Sequence, residues 1–293
     1  MPKLLALALV CALSPLTVMA DETRDIDAYR AEVDAWHATR VERLGAPDGW
    51  LSLVGLHWVE PGVHRVGSAA DNAVVLATGP ARLGELTVAD DGRIAFRYDA
   101  ALDRPEPDLA NGRVDIDPGR SSFEIIARGE RRALRVRDAQ AATRTGFAGI
   151  ERFPVDPRWR VQARFEPHPA GTSIDIANVI GTLDPTPNPG ALVFQIDGRT
   201  HRLEALEGGP DSLFLIIADR TSGRETYGAG RFIYTARPDQ SGKVTLDFNR
   251  AYNPPCAFTE FSTCPLPPPE NRLDIAVSAG EKRPRPPAEQ AAE

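Results

Sequence analysis

From residue 53 to residue 277 the chain is a succession of short β-rich runs punctuated by turn signals, with no helical interlude. The runs fall at 53–59, 73–76, 85–88, 94–98, 123–127, 133–137 and 159–165, then at 174–180, 192–196, 201–206, 213–218, 232–236, 244–248 and 273–277. Asp91-Gly92, Arg128-Gly129, Asp197-Gly198 and Ser241-Gly242 lie between alternating runs. These are the residue types that a tight hairpin needs for positive φ. Such a chain buries its apolar residues by stacking antiparallel sheets or by curling one into a barrel. The expected fold is mainly β, an N-terminal helix followed by antiparallel β-sandwich or barrel units.

The helix is expected over residues 21–47. Ile26, Tyr29, Val33, Trp36 and Leu44 recur at three- and four-residue spacing and so share a face, and Gly45 and Pro47 stop it. A Pro- and Asp-containing stretch at 100–111 marks an expected seam. It separates a small sandwich-like unit at 48–111 from a larger antiparallel unit at 112–280. Residues 182–190 read as a Pro-rich loop, and residues 281–293 as a disordered, Pro- and charge-rich tail.

Residues 1–20 read as a secretory signal: Lys3 gives a positive start, 4–13 is a short apolar core, and Val18-Met19-Ala20 precedes cleavage after Ala20. Cys11 sits within the apolar core and follows bulky Val10, which argues against a lipid anchor. No segment is long enough to span a bilayer. The expected location is periplasmic or secreted. The net charge is −7 at pH 7, and −8 once Lys3 is removed, which argues against nucleic acid and anionic membrane surfaces as partners. Cys256 and Cys264 are the two cysteines left after cleavage. An even count in an oxidising compartment reads first as a disulfide.

The common catalytic signatures are absent: there is no G-x-S-x-G elbow, H-E-x-x-H, phosphate-cradling glycine loop or C-x-x-C. The five histidines are dispersed, and a hairpin at Glu60-Pro61-Gly62 sets His64 opposite Trp58 rather than His57, so neither a metal nor a cofactor is expected. Two runs are rich in chemistry. Asp219 to Arg231 is a long connection with Gly223, Gly228 and Gly230, and it offers Asp219, Glu225, Tyr227 and Arg231 at short range. Leu246 to Leu273 holds both cysteines and a cluster of prolines. Asp247 and Asn249 alternate with Leu246 and Phe248, which puts the polar pair on one strand face, and Tyr252 and Asn253 follow in the loop.

Arg65-Val66-Gly67-Ser68 through Asp71 to Leu76 resembles the start of forkhead-associated domains, small β-sandwiches that bind phosphothreonine. The resemblance extends to the scaffold alone, because Ser68 follows the glycine and Pro80-Ala81-Arg82-Leu83-Gly84 lacks the serine and histidine of that site. Leu246-Asp247-Phe248-Asn249 and Ala251-Tyr252-Asn253-Pro254-Pro255-Cys256-Ala257-Phe258, with Cys264-Pro265-Leu266-Pro267-Pro268 and Glu270-Asn271-Arg272-Leu273, resemble the signature of the domain-of-unknown-function 1684 family. Asp219 to Gly223 with Thr226-Tyr227 and Arg231-Phe232, Gly49 to Trp58, and Gly280-Glu281-Lys282 are similar to its other motifs. The resemblance implies membership from about residue 30 to 283 and no activity.

Three readings of the cysteines stay open. A disulfide would close a short loop worth about 2.5 kcal/mol on chain-entropy grounds. Cys256 could instead be a reactive thiol, with Arg250 its one cationic neighbour in sequence. Both could also be reduced and buried, or bind metal at a spacing unusual for zinc. The leading expectation for function is a small-molecule pocket in the larger unit, taking a polar or anionic ligand through Asp219, Tyr227, Arg231, Asp247, Asn249, Tyr252 and Asn253. Alternatives are a hydrolase with Asp219 or Asp247 as base and Arg231 steadying an anion, and a structural or interaction protein of the envelope. Protein partners are not identified by the sequence.

Overall fold

The computed structural model describes residues 15–109 and 112–284. Most of the expected signal (1–14) and most of the expected tail (285–293) lie outside the described residues. Helix α1 spans Pro15–Leu44. It begins earlier than the expected residue 21 because proline is tolerated at a first helical position and nothing in Leu16 to Ala20 breaks a helix. Tyr29, Val33 and Leu44 are buried as the spacing predicts, but Ile26 is 36% exposed. No helix among the described residues is long and apolar enough to cross a membrane.

The first unit is two four-stranded sheets. Its strands are β1 Leu53–Val59, β2 Gly62–Gly67, β3 Val74–Val75, β4 Gly84–Val88, β5 Ile94–Tyr98, β6 Arg113–Asp117, β7 Ser121–Arg128 and β8 Arg131–Asp138. One sheet is ordered β1-β8-β7-β6 and the other β3-β2-β4-β5. Their inner faces share a core of Val66, Leu83, Leu86, Phe96, Val114, Ile116, Phe123 and Leu134. The expected seam at 111/112 is therefore misplaced. Strand β1 finds its antiparallel partner in β8, His57 opposite Leu134 and Trp58 opposite Ala133, so β6 to β8 complete the first unit instead of opening the second.

After a short helix α2, Ala142–Thr145, the second unit holds β9 Arg160–Pro167, β10 Ser173–Ala177, β11 Leu183–Pro187, β12 Gly190–Ile196, β13 Arg199–Glu207, β14 Ser212–Ile217, β15 Arg231–Ala236 and β16 Lys243–Asp247. Six of these form a sheet ordered β15-β14-β13-β12-β9-β16. The two edges nearly meet: the Thr235 hydroxyl on β15 donates to the Thr245 carbonyl on β16 at 2.7 Å, which makes the sheet an almost closed barrel. Trp159, Leu192, Phe194, Leu215, Ile233, Leu246 and Phe248 fill its core. The turn between β12 and β13 has Asp197 at φ 50° and Gly198 at φ 74°, as an Asp-Gly hairpin requires.

Two expectations change here. Part of the Pro-rich loop is strand β11, because in a two-stranded ribbon with β10 its prolines can turn their donorless nitrogens outward. The run at 273–277 is not a strand of the barrel; it lies beside 218–220 through single bonds such as Leu273 N–H to the Ala218 carbonyl, 2.8 Å. That segment continues as a strap to Lys282. At Gly280, φ is 74° and an added Cβ would lie 2.3 Å from the Ala251 carbonyl oxygen, whereas Gly181, at φ 82°, has open space around it. Gly280→Ala is expected to lose well over the ~1 kcal/mol that left-handed strain alone costs Gly181→Ala. Urea denaturation of the two variants checks the difference; equal losses would show that the strap yields freely.

Candidate functional site

Arg231 opens β15 and is 0% exposed. Its Nη2 donates to Asp219 Oδ2 at 2.7 Å and to the Val277 carbonyl at 3.1 Å, and its Nη1 donates to the carbonyls of Ala279 and Glu281. Asp219 Oδ1 accepts the Thr221 amide at 2.8 Å, the Thr221 hydroxyl at 2.6 Å and the Val277 amide at 3.2 Å. Burial pulls the Arg231 guanidinium below its ordinary pKa, and the carboxylate of Asp219 opposes that pull. Apart from Arg231 Nε, which has no partner, the pair is closed on itself, on Thr221 and on backbone.

Asp247 ends β16, and Asn249 sits on the single 3-10 turn Phe248–Arg250, so they do not alternate along one strand as expected. They meet through the helix instead. The Tyr29 hydroxyl reaches both oxygens of Asp247, at 2.9 and 3.0 Å, and accepts from Asn249 Nδ2 at 2.8 Å. Burial first, and Asp247 second, push the Tyr29 phenol well above its ordinary range. Asn249 also clamps Asp156, donating to its carbonyl and accepting from its amide.

Tyr252 bridges Phe232 of β15 by two backbone bonds, and Arg40 of α1 lies 4.6 Å above its ring. The Asn253 amide donates to Glu281 Oε2 at 2.7 Å, its Nδ2 donates to the Lys282 carbonyl, and Arg40 donates to Glu281 Oε1 at 3.2 Å. Burial raises the pKa of Glu281 against the opposing charge of Arg40. The expected disordered tail therefore starts too early, since Glu281 is 1% exposed and bonded on both oxygens. Tyr227 donates to the Cys256 carbonyl at 3.0 Å. The two sequence motifs do converge, but on the strap and on helix α1. Four surface cavities are lined by other residues; the smallest, about 240 Å³ beside Arg65, Arg82 and Arg97, lies in the first unit.

Cys256 and Cys264 are both free thiols, contrary to the expected disulfide. They are nonetheless interlocked. The Cys256 amide donates to Cys264 Sγ at 3.1 Å, the Cys264 amide to Cys256 Sγ at 3.2 Å, and the Ser262 hydroxyl to Cys256 Sγ at 2.9 Å. The bond from Cys264 above all, then Ser262, the Cys264 amide and the charge of Arg135, outweigh burial and lower the Cys256 pKa to about 6. The same bond and burial hold the Cys264 proton on.

Arg135 comes from the other unit. Antiparallel partners point to the same side of a sheet, so the pairs Arg135 with Leu56 and Arg135 with Glu124 place these three on the face of the first sheet that turns away from its core. Arg128, Ala133 and Arg137 share that face by the two-residue period. The Cys loop lies against it, where Arg128 Nε donates to Thr263 Oγ1 at 2.7 Å. Sequence reasoning missed Arg128, Arg135, Ser262 and Trp50 in this role. The one available signal was the alternation Ala133-Leu134-Arg135-Val136-Arg137, which puts arginines opposite an apolar face.

Removing one partner of a fully buried pair strands the other charge, so Arg231→Met is expected to cost about 3–5 kcal/mol. Tyr29→Phe removes a hydroxyl from Asp247 and Asn249 and is expected to cost about 1–3 kcal/mol. Chemical denaturation measures both. A loss under 1 kcal/mol for Arg231→Met would mean that solvent enters the pair.

No curated protein matches the chain. Among solved structures it is similar to an uncharacterized protein of Haloarcula marismortui determined by solution NMR, at 32% identity over 47% of this chain and 78% of that one, with a TM-score of 0.40. The DUF1684 family, described as protein of unknown function, matches residues 145–282, which begin just past the last strand of the first unit. Through the second unit and its strap, the chain belongs to the DUF1684 family.

Proposed function

We propose that this protein is an exported thiol–disulfide exchange protein whose Cys256–Cys264 pair cycles between dithiol and disulfide. The observation that carries the reading is the reciprocal bonding of two free thiols, each amide 3.1–3.2 Å from the other's sulfur. Each sulfur thus lies beside the other cysteine's backbone, the proximity that a disulfide between them needs. Export follows from the signal pattern at residues 1–20. Most polar groups of the seven residues expected to line a ligand pocket are engaged with one another, with Tyr29, Thr221 and Glu281, and with backbone, although Arg231 Nε and Asn253 Oδ1 have no partner. Ligand recognition is better sought at the seam, and the burial of both Asp219 and Asp247 weighs against hydrolysis by either.

The chemistry balances with a disulfide as co-reactant. Cys256 thiolate attacks one sulfur of the partner's S–S bond, a mixed disulfide forms, and the first partner thiolate leaves. Cys264 then gives its proton to the departed partner thiolate or to solvent and attacks Cys256 Sγ. An intramolecular disulfide forms and the second partner thiolate leaves, so two electrons pass from the pair to the partner. Cys256 is the half-buried, thiolate-bearing attacker and Cys264 the buried resolving thiol.

Alkylation of the reduced protein by iodoacetamide is expected to label Cys256 first, with a rate that halves near pH 6 rather than near the ~8.5 of a free thiol. The sign carries over to stability. The depressed pKa of Cys256 adds stability that is lost as pH falls toward 6, whereas the raised pKa of Cys264 acts the other way above the ordinary thiol range, so the reduced fold gains stability between those limits and loses it beyond them. With a small disulfide, Cys264→Ser is expected to stop at the mixed disulfide and Cys256→Ser not to react. A pair that resists both mild reductants and disulfides would be a brace, and the exchange reading would fall.

A further inference from the structure

We infer that the disulfide exchanged at Cys256 is a small, carboxylate-bearing one, docked by Arg135 at the seam between the two units; the inference rests on the exchange reading above. Arg135 is 4% exposed. Its Nη1 donates to Glu124 Oε1 at 3.2 Å, while its Nε and Nη2 have no partner. Those two N–H groups lie on the same edge of the guanidinium and point in parallel, the fork that a carboxylate grips with both oxygens. Leaving donors of a buried cation unpaired is costly, so the fork is built for an acceptor that the chain itself does not supply.

The surroundings favour the same charge. Arg128 and Arg137 share the sheet face with Arg135, and Glu124 is the carboxylate found paired there, accepting from both Arg135 and Arg137. Arg137 is further tied to the carbonyls of Asp48 and Gly49, and Arg128 to Thr263, so both cations are held in place. Trp50 lies 5.2 Å from the Arg135 guanidinium and 6.0 Å from that of Arg137. Stacking of this kind covers a guanidinium's face and leaves its edge available. Both fork donors are shielded from solvent, so a ligand reaches them by displacing the rim of Trp50, Glu124, Arg128, Arg137 and Cys256, each half-buried. Because the charge of Arg135 also stabilises the Cys256 thiolate, fork and sulfur lie within electrostatic reach of each other. One end of a short molecule can occupy the fork while its S–S bond meets the thiolate.

The test compares three symmetrical disulfides with the reduced full-length mature protein at pH 9, where Cys256 is ionised: 3,3′-dithiodipropionate (anionic), bis(2-hydroxyethyl) disulfide (neutral) and cystamine (cationic). Each rate is divided by that of a free small thiol with the same reagent. The anionic reagent is expected to exceed the neutral one by about tenfold or more, the order expected of a charge-assisted contact. The cationic reagent is expected to be slowest, and added salt to weaken but not erase the preference. Arg135→Gln is expected to bring the anionic-to-neutral ratio to that of the free thiol. Should that variant fail to fold, Arg128→Gln at the rim is expected to lower the ratio about threefold. Equal normalised rates for all three reagents would overturn the inference while leaving exchange intact. No exchange with any of them would overturn the exchange reading and this inference together.

Discussion

A single guanidinium, that of Arg231, holds the second unit together by bringing a carboxylate and three carbonyls to one dry point. Stripping a cation of water is expensive, and the expense is offset only if every donor finds an acceptor of good geometry. The chain meets most of that demand with Asp219, from the connection before β15, and with the strap after the barrel, leaving Nε of Arg231 without a partner. The strap then brings Glu281 to Asn253 and Arg40, which fastens helix α1 to the barrel wall. Tyr29 makes a second attachment through Asp247 and Asn249. Remote segments are thus ordered by polar groups that would be liabilities if any one were missing.

This recasts the most distinctive residues of the sequence. Asp219, Arg231, Asp247, Asn249 and Asn253 look like the lining of a site because they are polar, clustered and close to glycine and proline. They are clustered because Asp219 satisfies Arg231, Asp247 meets Asn249 through Tyr29, and Asn253 holds Glu281 of the strap. The proposed exchange chemistry lies elsewhere, where the Cys loop of the family's own region meets the outer sheet face of the preceding sandwich. Arg135 falls outside the span that matches DUF1684. Such a site belongs to the pairing of the two units rather than to either alone.

The mainly β class, the Asp197-Gly198 turn and the apolar stripe of α1 were legible because each depends on local periodicity or backbone conformation. The seam was not, since β1 pairs with β8 across the whole first unit and no local signal reports so distant a partner. The proline-rich 183–187 strand was hidden because proline marks loops in general and edge ribbons only in particular. Glu281 looked like part of a charged tail, and its burial is set by Arg40 and Asn253, far off in sequence. Arg135 reads as a surface arginine on an alternating strand; its burial goes with Glu124 on the neighbouring strand and Trp50, far off in sequence.

The strap also sets an order of events. Arg231 cannot be comfortably buried until the carbonyls at 277, 279 and 281 exist, and those residues are made after every strand of the barrel. While the chain grows from its N-terminus, the sandwich can close as soon as β8 is available, but the barrel must wait with a cation facing its unfinished wall. Contacts between segments so far apart form slowly. The second unit is therefore held open through most of its synthesis, and its last residues act as the catch that turns a threadable chain into a folded one.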